Sequence, residues 1–340
     1  MGKLNIDQVA ELAFVSRSVV SRVLNNRPNV SDDAKERVLD VVEKYNYQPS
    51  TVARSLATSR NYEIGILSPR RCDEALGNGF WSLLHLGIFE ECIQKGYFLT
   101  LSPISTDKDA TINEHILDDK RLDGYILLTQ EITDFLVNKI NERNIPMIMV
   151  GHDEQSKELS SIDVNNFSGM YKATNHLIEL GHSQIGAIMA DPHLKESTDR
   201  IKGYRQALND ALITPPEEYL SVGNYSQHHG YQAMKKWIDE GLEITAAVCM
   251  GDTLAMGALL ALHQADIAVP EDFSIVGFDD LPFAQYTIPP LTTVKQPIYE
   301  KGKCAANLIV NQIENNNENI VHENLDPSLI IRESTGPVPN

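Results

Sequence analysis

The chain has 340 residues, 22% of them charged, and a formal net charge of −18; that length predicts two or three domains. No apolar run approaches the ~18 residues a membrane helix needs. Cys72, Cys92, Cys249 and Cys304 are too scattered for metal-ligand spacing or a disulfide framework, and the chain enters a polar helix with no leader, so a cytoplasmic protein with no membrane association, no metal and no cofactor is expected.

The first predicted helix starts at Asn5, an N-cap with Gln8 three residues on to complete a capping box. Val9, Leu12 and Ala13 supply its apolar face. Phe14-Val15 makes a turn, and Ser16 caps a second helix that mixes Val19, Val20, Val23 and Leu24 with Arg17, Ser18, Ser21 and Arg22. A third helix spans Asp32 to Tyr45, with Ala34, Val38, Val41, Val42 and Tyr45 at helical spacing. Three short helices around one apolar centre predict a helix-turn-helix headpiece whose second helix enters a major groove. Arg17 and Ser18 at its N-terminal end and Arg22 further along are placed to read base edges, since an arginine fork matches the two acceptors of guanine. Ser16 and Ser21 are small donors suited to phosphate. The competing reading is a three-helix packing module with solvated arginines. Residues 1–60 carry a net charge of +2 and the remainder −20, so only the headpiece can approach DNA.

From Tyr62 onward short apolar runs alternate with amphipathic helices. Strands are predicted at Ile64–Leu67, Phe98–Leu101, Tyr125–Thr129, Met147–Val150, Ile185–Met189, Ala247–Met250 and Ser274–Gly277. Helices are predicted at Phe80–Lys95, Ile112–Asp119, Thr133–Arg143, Gly169–Leu180, Arg200–Ala211, His228–Glu240 and Leu254–Ala265. This alternation implies parallel sheets wrapped by helices. In such sheets ligands sit beyond the carboxyl ends of the strands. The candidates there are Ser68, Asn78-Gly79-Phe80-Trp81, Gly151-His152-Asp153, Asp191, Gly251-Asp252 and Phe278-Asp279-Asp280, with Phe80, Trp81 and Tyr225 able to wall in or stack on a sugar ring. Core packing competes for each aromatic, and helix capping for Asp279. His228-His229 lacks a carboxylate or cysteine at ligand spacing. No phosphate-cradling loop, nucleophile elbow or other catalytic constellation is found, so no enzyme is expected.

The run Val15-Ser16-Arg17-Ser18-Val19-Val20-Ser21-Arg22-Val23-Leu24-Asn25, then Val30-Ser31, Tyr47-Gln48-Pro49 and Val52-Ala53-Arg54-Ser55-Leu56, resembles the lactose/galactose repressor family of bacterial transcription regulators. The likeness continues in Asp123-Gly124, Leu180-Gly181-His182, Arg200-Ile201-Lys202-Gly203-Tyr204, Gly251 to Ala258, Val276-Gly277-Phe278-Asp279-Asp280 and Pro290-Leu291-Thr292-Thr293-Val294. It implies an α/β two-lobed body like the periplasmic binding proteins, with two doubly wound parallel sheets, behind an all-α headpiece. The expected divisions are a headpiece over 1–49, a hinge helix and linker over 50–61, and a body over 62–340. Within the body, lobe 1 is expected at about 62–160 and 292–322, and lobe 2 at about 161–291 and 323–335.

By the same resemblance Arg200 grips vicinal hydroxyls and Asp279 accepts from another; with the strand-end residues Ser68, Gly151 and Asp252 and the aromatics Phe80, Trp81 and Tyr225 they make the expected ligand set. Asn5 and Asn25 join Ser16, Arg17, Ser18, Ser21 and Arg22 at DNA. Segment 50–58, too short for a stable helix alone, is expected to fold in the minor groove with Val52 and Ala53 at the DNA and Leu56 as the wedge. Four positions depart from the family pattern. Phe14 replaces a small turn residue, so the turn is expected to be reshaped. Val19 replaces a threonine. Gly151 and Gly251 replace polar ligand residues, which leaves room for a larger or less polar ligand.

The function implied is a ligand-responsive regulator, most simply a repressor. It binds a palindromic double-stranded DNA operator as a homodimer and responds to a sugar or sugar derivative. Corepressor-dependent purine-type and catabolite-control regulation stay open, as does a solute-binding protein without DNA function. The tail after Arg332 has no leucine heptads, so assembly should stop at a dimer, joined through Leu281-Pro282-Phe283 and Leu84–Cys92.

Overall fold

The computed structural model describes residues 4–24, 28–47, 60–69, 79–104, 121–128, 142–151, 158–315 and 319–339. Asn25, the hinge residues Val52, Ala53 and Leu56, and the predicted helices at 112–119 and, but for its last two residues, 133–143 lie outside them. Two compact units result, 1–62 and 63–340.

In the first unit, α1 (Ile6–Leu12), α2 (Arg17–Leu24) and α3 (Asp32–Lys44) enclose one apolar centre of Val9, Ala10, Ala13, Val20, Val23, Val38 and Tyr47. The capping box forms as expected: the Gln8 N–H donates to Asn5 Oδ1 at 2.9 Å, and the Asn5 N–H to Gln8 Oε1 at 2.9 Å. Two expected core residues turn outward. Leu12 is 41% and Tyr45 46% exposed, while Ala10 and Tyr47 belong to the buried cluster.

The second unit contains two six-stranded sheets. The first joins β1 (Glu63–Pro69), β2 (Phe98–Ile104), β3 (Gly124–Leu127), β4 (Met147–Val150), β5 (Ser160–Val164) and β11 (His322–Leu325), in the order β11-β5-β4-β3-β1-β2. The second joins β6 (Ile185–Met189), β7 (Leu220–Val222), β8 (Ala246–Cys249), β9 (Ser274–Asp279), β10 (Thr292–Lys295) and β12 (Ser328–Ile330), in the order β12-β10-β9-β8-β6-β7. All pairs are parallel except β10 with β12. The inner strands β3, β4, β6, β8 and β9 are buried along their whole length, as both-face coverage by helices requires. These helices are α4 (Gly79–Gln94) and α9 (Ile298–Asn315) on the first sheet, and α5 (Asn166–Glu179), α6 (Lys195–Asp210), α7 (Gln227–Asp239) and α8 (Asp252–Gln264) on the second.

The lobe boundaries move from those expected. β5 belongs wholly to the first sheet, β10 to the second and β11 to the first. The chain therefore crosses between lobes at Asn165, at Gln296-Pro297 and at Asp326-Pro327. β5 escaped prediction because Ser160, Ser161 and Asp163 break its apolar pattern, yet all three are buried and bonded. In each lobe the chain leaves its first strand toward one edge and returns on the other side. The resulting switch points, between β1 and β3 and between β6 and β8, are where such sheets open a crevice.

Candidate functional site

On the headpiece, α2 presents Arg17, Ser18 and Arg22 to solvent, while Val20 and Val23 face the core. Ser16 caps the helix, accepting from the Val19 N–H at 3.4 Å, and its hydroxyl also meets that of Ser18 at 2.8 Å. A local network thus positions both serines. Phe14 adopts φ 53° and is 84% exposed, so the turn keeps the left-handed geometry that a bulky residue disfavours. Arg37, which the sequence did not single out, explains how: its Nη1 donates to the Ala13 and Phe14 carbonyls at 3.1 and 3.4 Å. Those carbonyls end α1 without helical partners, and a cation is well placed there.

In the body, the carboxyl ends of β8 and β9 bring together Arg200, Tyr225 and Asp279. Arg200 is 4% exposed; its Nε donates to Asn166 Oδ1 at 2.8 Å, its Nη1 to the Met250 carbonyl, and its guanidinium lies 3.7 Å from the Phe278 ring centroid. These contacts lock the arginine plane. Asp279 accepts from Tyr225 OH at 2.7 Å and from Gln296 Nε2 at 2.6 Å. Burial pushes the Asp279 carboxyl above its ordinary range, and Arg200, Tyr225 and Gln296 pull it back. Burial, then the Asp279 charge, holds Tyr225 well above its ordinary value, so it stays a donor. Asp279 and Asp280 both have positive φ, 119° and 58°. This left-handed pair stores strain where the ligand is expected, and Arg332 Nη2 holds Asp280 at 2.6 Å.

Two glycines acquire physical reasons. At Gly251 a Cβ would lie 1.7 Å from Tyr225 OH. The space expected to admit a larger ligand is therefore filled by the tyrosine, which delivers its hydroxyl to Asp279. Gly151 has φ 109°, a conformation that side chains rarely adopt. Asp252 is corrected as a ligand residue. It is fully buried, accepting from the Leu281 N–H at 2.7 Å and Thr293 Oγ1 at 2.5 Å, and so braces the loop beyond β9.

From the first lobe, Ser68 is the penultimate residue of β1, is 1% exposed, and its Oγ is buried without a partner. Phe80 and Trp81, both half-buried, meet edge to face at 5.3 Å in the first turn of α4. A Cβ at Gly79 would stand 3.7 Å from Leu281 Cδ2, so this helix start abuts the strained loop of the second lobe. Lys301 on α9 donates to Asp163 at 2.8 Å with both side chains largely buried. Sequence reading missed Asn166, Gln296, Lys301 and Asp163 because each lies in or beside an interlobe crossing or on an unpredicted element. It missed Glu196 because α6 starts five residues before the expected Arg200.

Of the segments expected to join two chains, Leu84, Ile88, Cys92 and Leu281 are buried within the body, while Leu86 and Phe89 on the same helix are exposed. Other exposed apolar residues include Ile93 on α4, Phe98 and Leu101 on edge strand β2, and Tyr286 and Ile288 beyond β9. Among the described residues no helix is long and apolar enough to cross a membrane.

Residues 5–50 match the family described as bacterial regulatory proteins, lacI family, and residues 174–335 the periplasmic binding protein-like domain. The chain is 32% identical over 337 residues to the HTH-type transcriptional repressor PurR of Klebsiella pneumoniae subsp. pneumoniae, covering 98% of this chain and 97% of that protein. Among solved structures it is similar to the lac repressor dimer bound to operator and the anti-inducer ONPF. That match has TM-score 0.79 and 26% identity, covering 98% of this chain and 100% of the other. It is also similar to the transcriptional regulator CelR–cellobiose complex, with TM-score 0.75 and 27% identity over the same shares of the two chains.

Proposed function

The chain belongs to the lacI family of bacterial regulatory proteins, and from that premise we propose a repressor that pairs through its bodies, grips a near-palindromic operator with two headpieces, and is switched by a sugar or sugar derivative in the interlobe crevice. It is a ligand-responsive DNA-binding regulator and not an enzyme. The observation that carries the effector reading is the Arg200–Asp279–Tyr225 constellation: a locked arginine plane and a buried carboxylate suit the paired acceptors and donors of a sugar's hydroxyls. A cellobiose-bound regulator and one from Enterococcus faecium with bound ribose support the same class.

The site is also tied to the crossings between lobes. Arg200 is held by Asn166 and Asp279 by Gln296, and both partners lie in or beside crossings between lobes. A ligand that prefers one interlobe angle shifts the population toward it, which is how occupancy of the crevice would alter operator binding. The exposed apolar residues of α4 and β2 are the surfaces that pair the bodies.

The test uses the full chain on an operator selected from random DNA, with cellobiose and ribose among the ligands. Arg200→Ala and Asp279→Ala should bind the operator as wild type does and lose the response to ligand. A response retained in both variants would place the effector elsewhere.

A further inference from the structure

A cavity of about 210 Å³ lies at the β11 edge of the first sheet, where the chain passes between lobes. The first lobe lines it with Asp163 on β5 and Glu323 on β11, the second with Phe167 at the start of α5 and Asp199 on α6. Two of the crossing segments are joined here, the Asn165 N–H donating to the Leu325 carbonyl at 2.9 Å. Asn166 completes the wall, and its Oδ1 is the atom that holds Arg200, which does not itself line the cavity. A molecule seated here touches both lobes at their junction and shares one side chain with the effector constellation.

The lining narrows what that molecule is. No lysine or arginine belongs to it. Asp163 is 8% exposed, and both of its hydrogen bonds, from Lys301 Nζ and from the Val164 N–H, each at 2.8 Å, end on Oδ1. Oδ2 is left as an unused acceptor in the cavity wall, and buried acceptors of that kind are rare unless something else satisfies them. Lys195 answers Asp199 at 2.7 Å from outside the lining, while Glu323 at the rim meets the Cys304 thiol rather than a cation. The Phe167 ring is 39% exposed and is held by stacking on Tyr171, with centroids 6.2 Å apart. Carboxylate oxygens beside an aromatic face suit a positively charged nitrogen; an anion would find no counter-charge. The acceptors do not converge: among the described residues no three such groups could hold a metal ion. Spread acceptors suit an elongated cation, and the volume holds roughly seven water-sized groups, the size of a short alkyl chain with a nitrogen at each end.

We propose that this cavity is a second small-molecule site, distinct from the effector crevice, that takes a short linear diamine or aminoalkyl guanidine and biases the angle between the lobes. Asn166 is the link. Its Nδ2 donates to the Val164 carbonyl at 3.1 Å within the crossing, and its Oδ1 accepts from Arg200 Nε at 2.8 Å. A cation that bridges Asp163 and Glu323 to Phe167 and Asp199 favours the interlobe angle at which all four are in reach, and any ligand that prefers the same angle binds more tightly in its presence. The coupling is reciprocal.

Calorimetry on the full chain tests the site with putrescine and agmatine as probes and butane-1,4-diol as the uncharged control, at about 0.15 M salt so that diffuse attraction to the acidic body is screened. A single equivalent of at least one cation should bind per chain, and the diol should give no heat. The double variant Phe167→Ala/Glu323→Gln changes two exposed side chains, so its melting temperature should stay close to wild type while its affinity for the cation falls by about tenfold or more. Absence of binding by both cations overturns the proposal, as do equal binding by the double variant, a diol that binds as tightly as putrescine, and heats of several equivalents that vanish with added salt. These measurements need no effector, so they succeed or fail independently of the crevice reading. Operator affinity supplies the coupling arm. Putrescine should change it for wild type and the double variant by different factors, and comparison on the same DNA cancels the diamine's own attraction to phosphates. An identical dependence in the two proteins overturns the coupling to the lobes.

Discussion

Replacing Gly251 by alanine adds one methyl group and should disturb the site more than that group's size implies. The backbone there is extended, with φ −162° and ψ 159°, so alanine introduces no backbone strain. The new Cβ would stand 1.7 Å from Tyr225 OH and 2.4 Å from Cζ, so the ring must leave. Its departure breaks the 2.7 Å hydrogen bond to Asp279 and leaves a buried carboxylate oxygen without its donor. A lost hydrogen bond to a charged group is worth about 1.5–3 kcal/mol. In a unit of this size each kcal/mol shifts the melting temperature by roughly 2–4 °C, so a drop of about 3–12 °C is expected. Tyr225→Ala should destabilise by a comparable amount through the same bond. The double variant Gly251→Ala/Tyr225→Ala should be no less stable than Tyr225→Ala alone, because the methyl then enters vacated space. Thermal unfolding followed by circular dichroism gives the cycle its coupling energy. Additive losses, or a Gly251→Ala protein that melts with wild type, would refute the argument that Gly251 exists to seat Tyr225.

Phe14→Asn should stabilise the headpiece by about 1 kcal/mol, since the 84% exposed ring loses little packing and asparagine tolerates positive φ; an unchanged urea midpoint for residues 1–62 within the full chain contradicts it. Lys301→Ala strands Asp163 as an unpaired buried charge and should cost about 3–5 kcal/mol in urea unfolding, much of it recovered by Asp163→Asn. Arg22→Ala should relax base preference at one position of each half-site, at about 1–3 kcal/mol; random-DNA selection returning the wild-type consensus would remove that assignment. His182, buried among Thr245, Ser274 and the Gly336 carbonyl, is held below its ordinary 6.5 mainly by burial. The unfolded chain therefore binds the extra proton first, and stability present above about pH 6.5 declines as pH falls below it, by up to about 1.4 kcal/mol per unit. His182→Gln should flatten that slope in acid titrations of the melting temperature.

Local pattern determined much of this protein. The capping box at Asn5 and Gln8, the spacing of Ala34 and Val38 in α3, and the apolar run Ile185–Met189 each state their own structure, because caps, helical period and strand burial act between neighbours in the chain. Motif likeness then pointed to Arg200 and Asp279, the position of Asp279 after a predicted strand placed it at the crevice, and Tyr225 entered only as an aromatic able to wall in a ligand. What tertiary structure alone decided concerns partners far apart in sequence. Ser160, Ser161 and Asp163 look like loop residues until Gln312, His322 and Lys301 satisfy them and β5 can be buried. Asp252 looks like a ligand residue until Leu281 and Thr293 take both its oxygens. Gly251 looks like an emptied pocket until Tyr225, 26 residues earlier in the chain, is seen to fill it. Periodicity reports which way a side chain faces; whether a buried polar atom already has its hydrogen bond is settled only when the fold brings the distant partner to it.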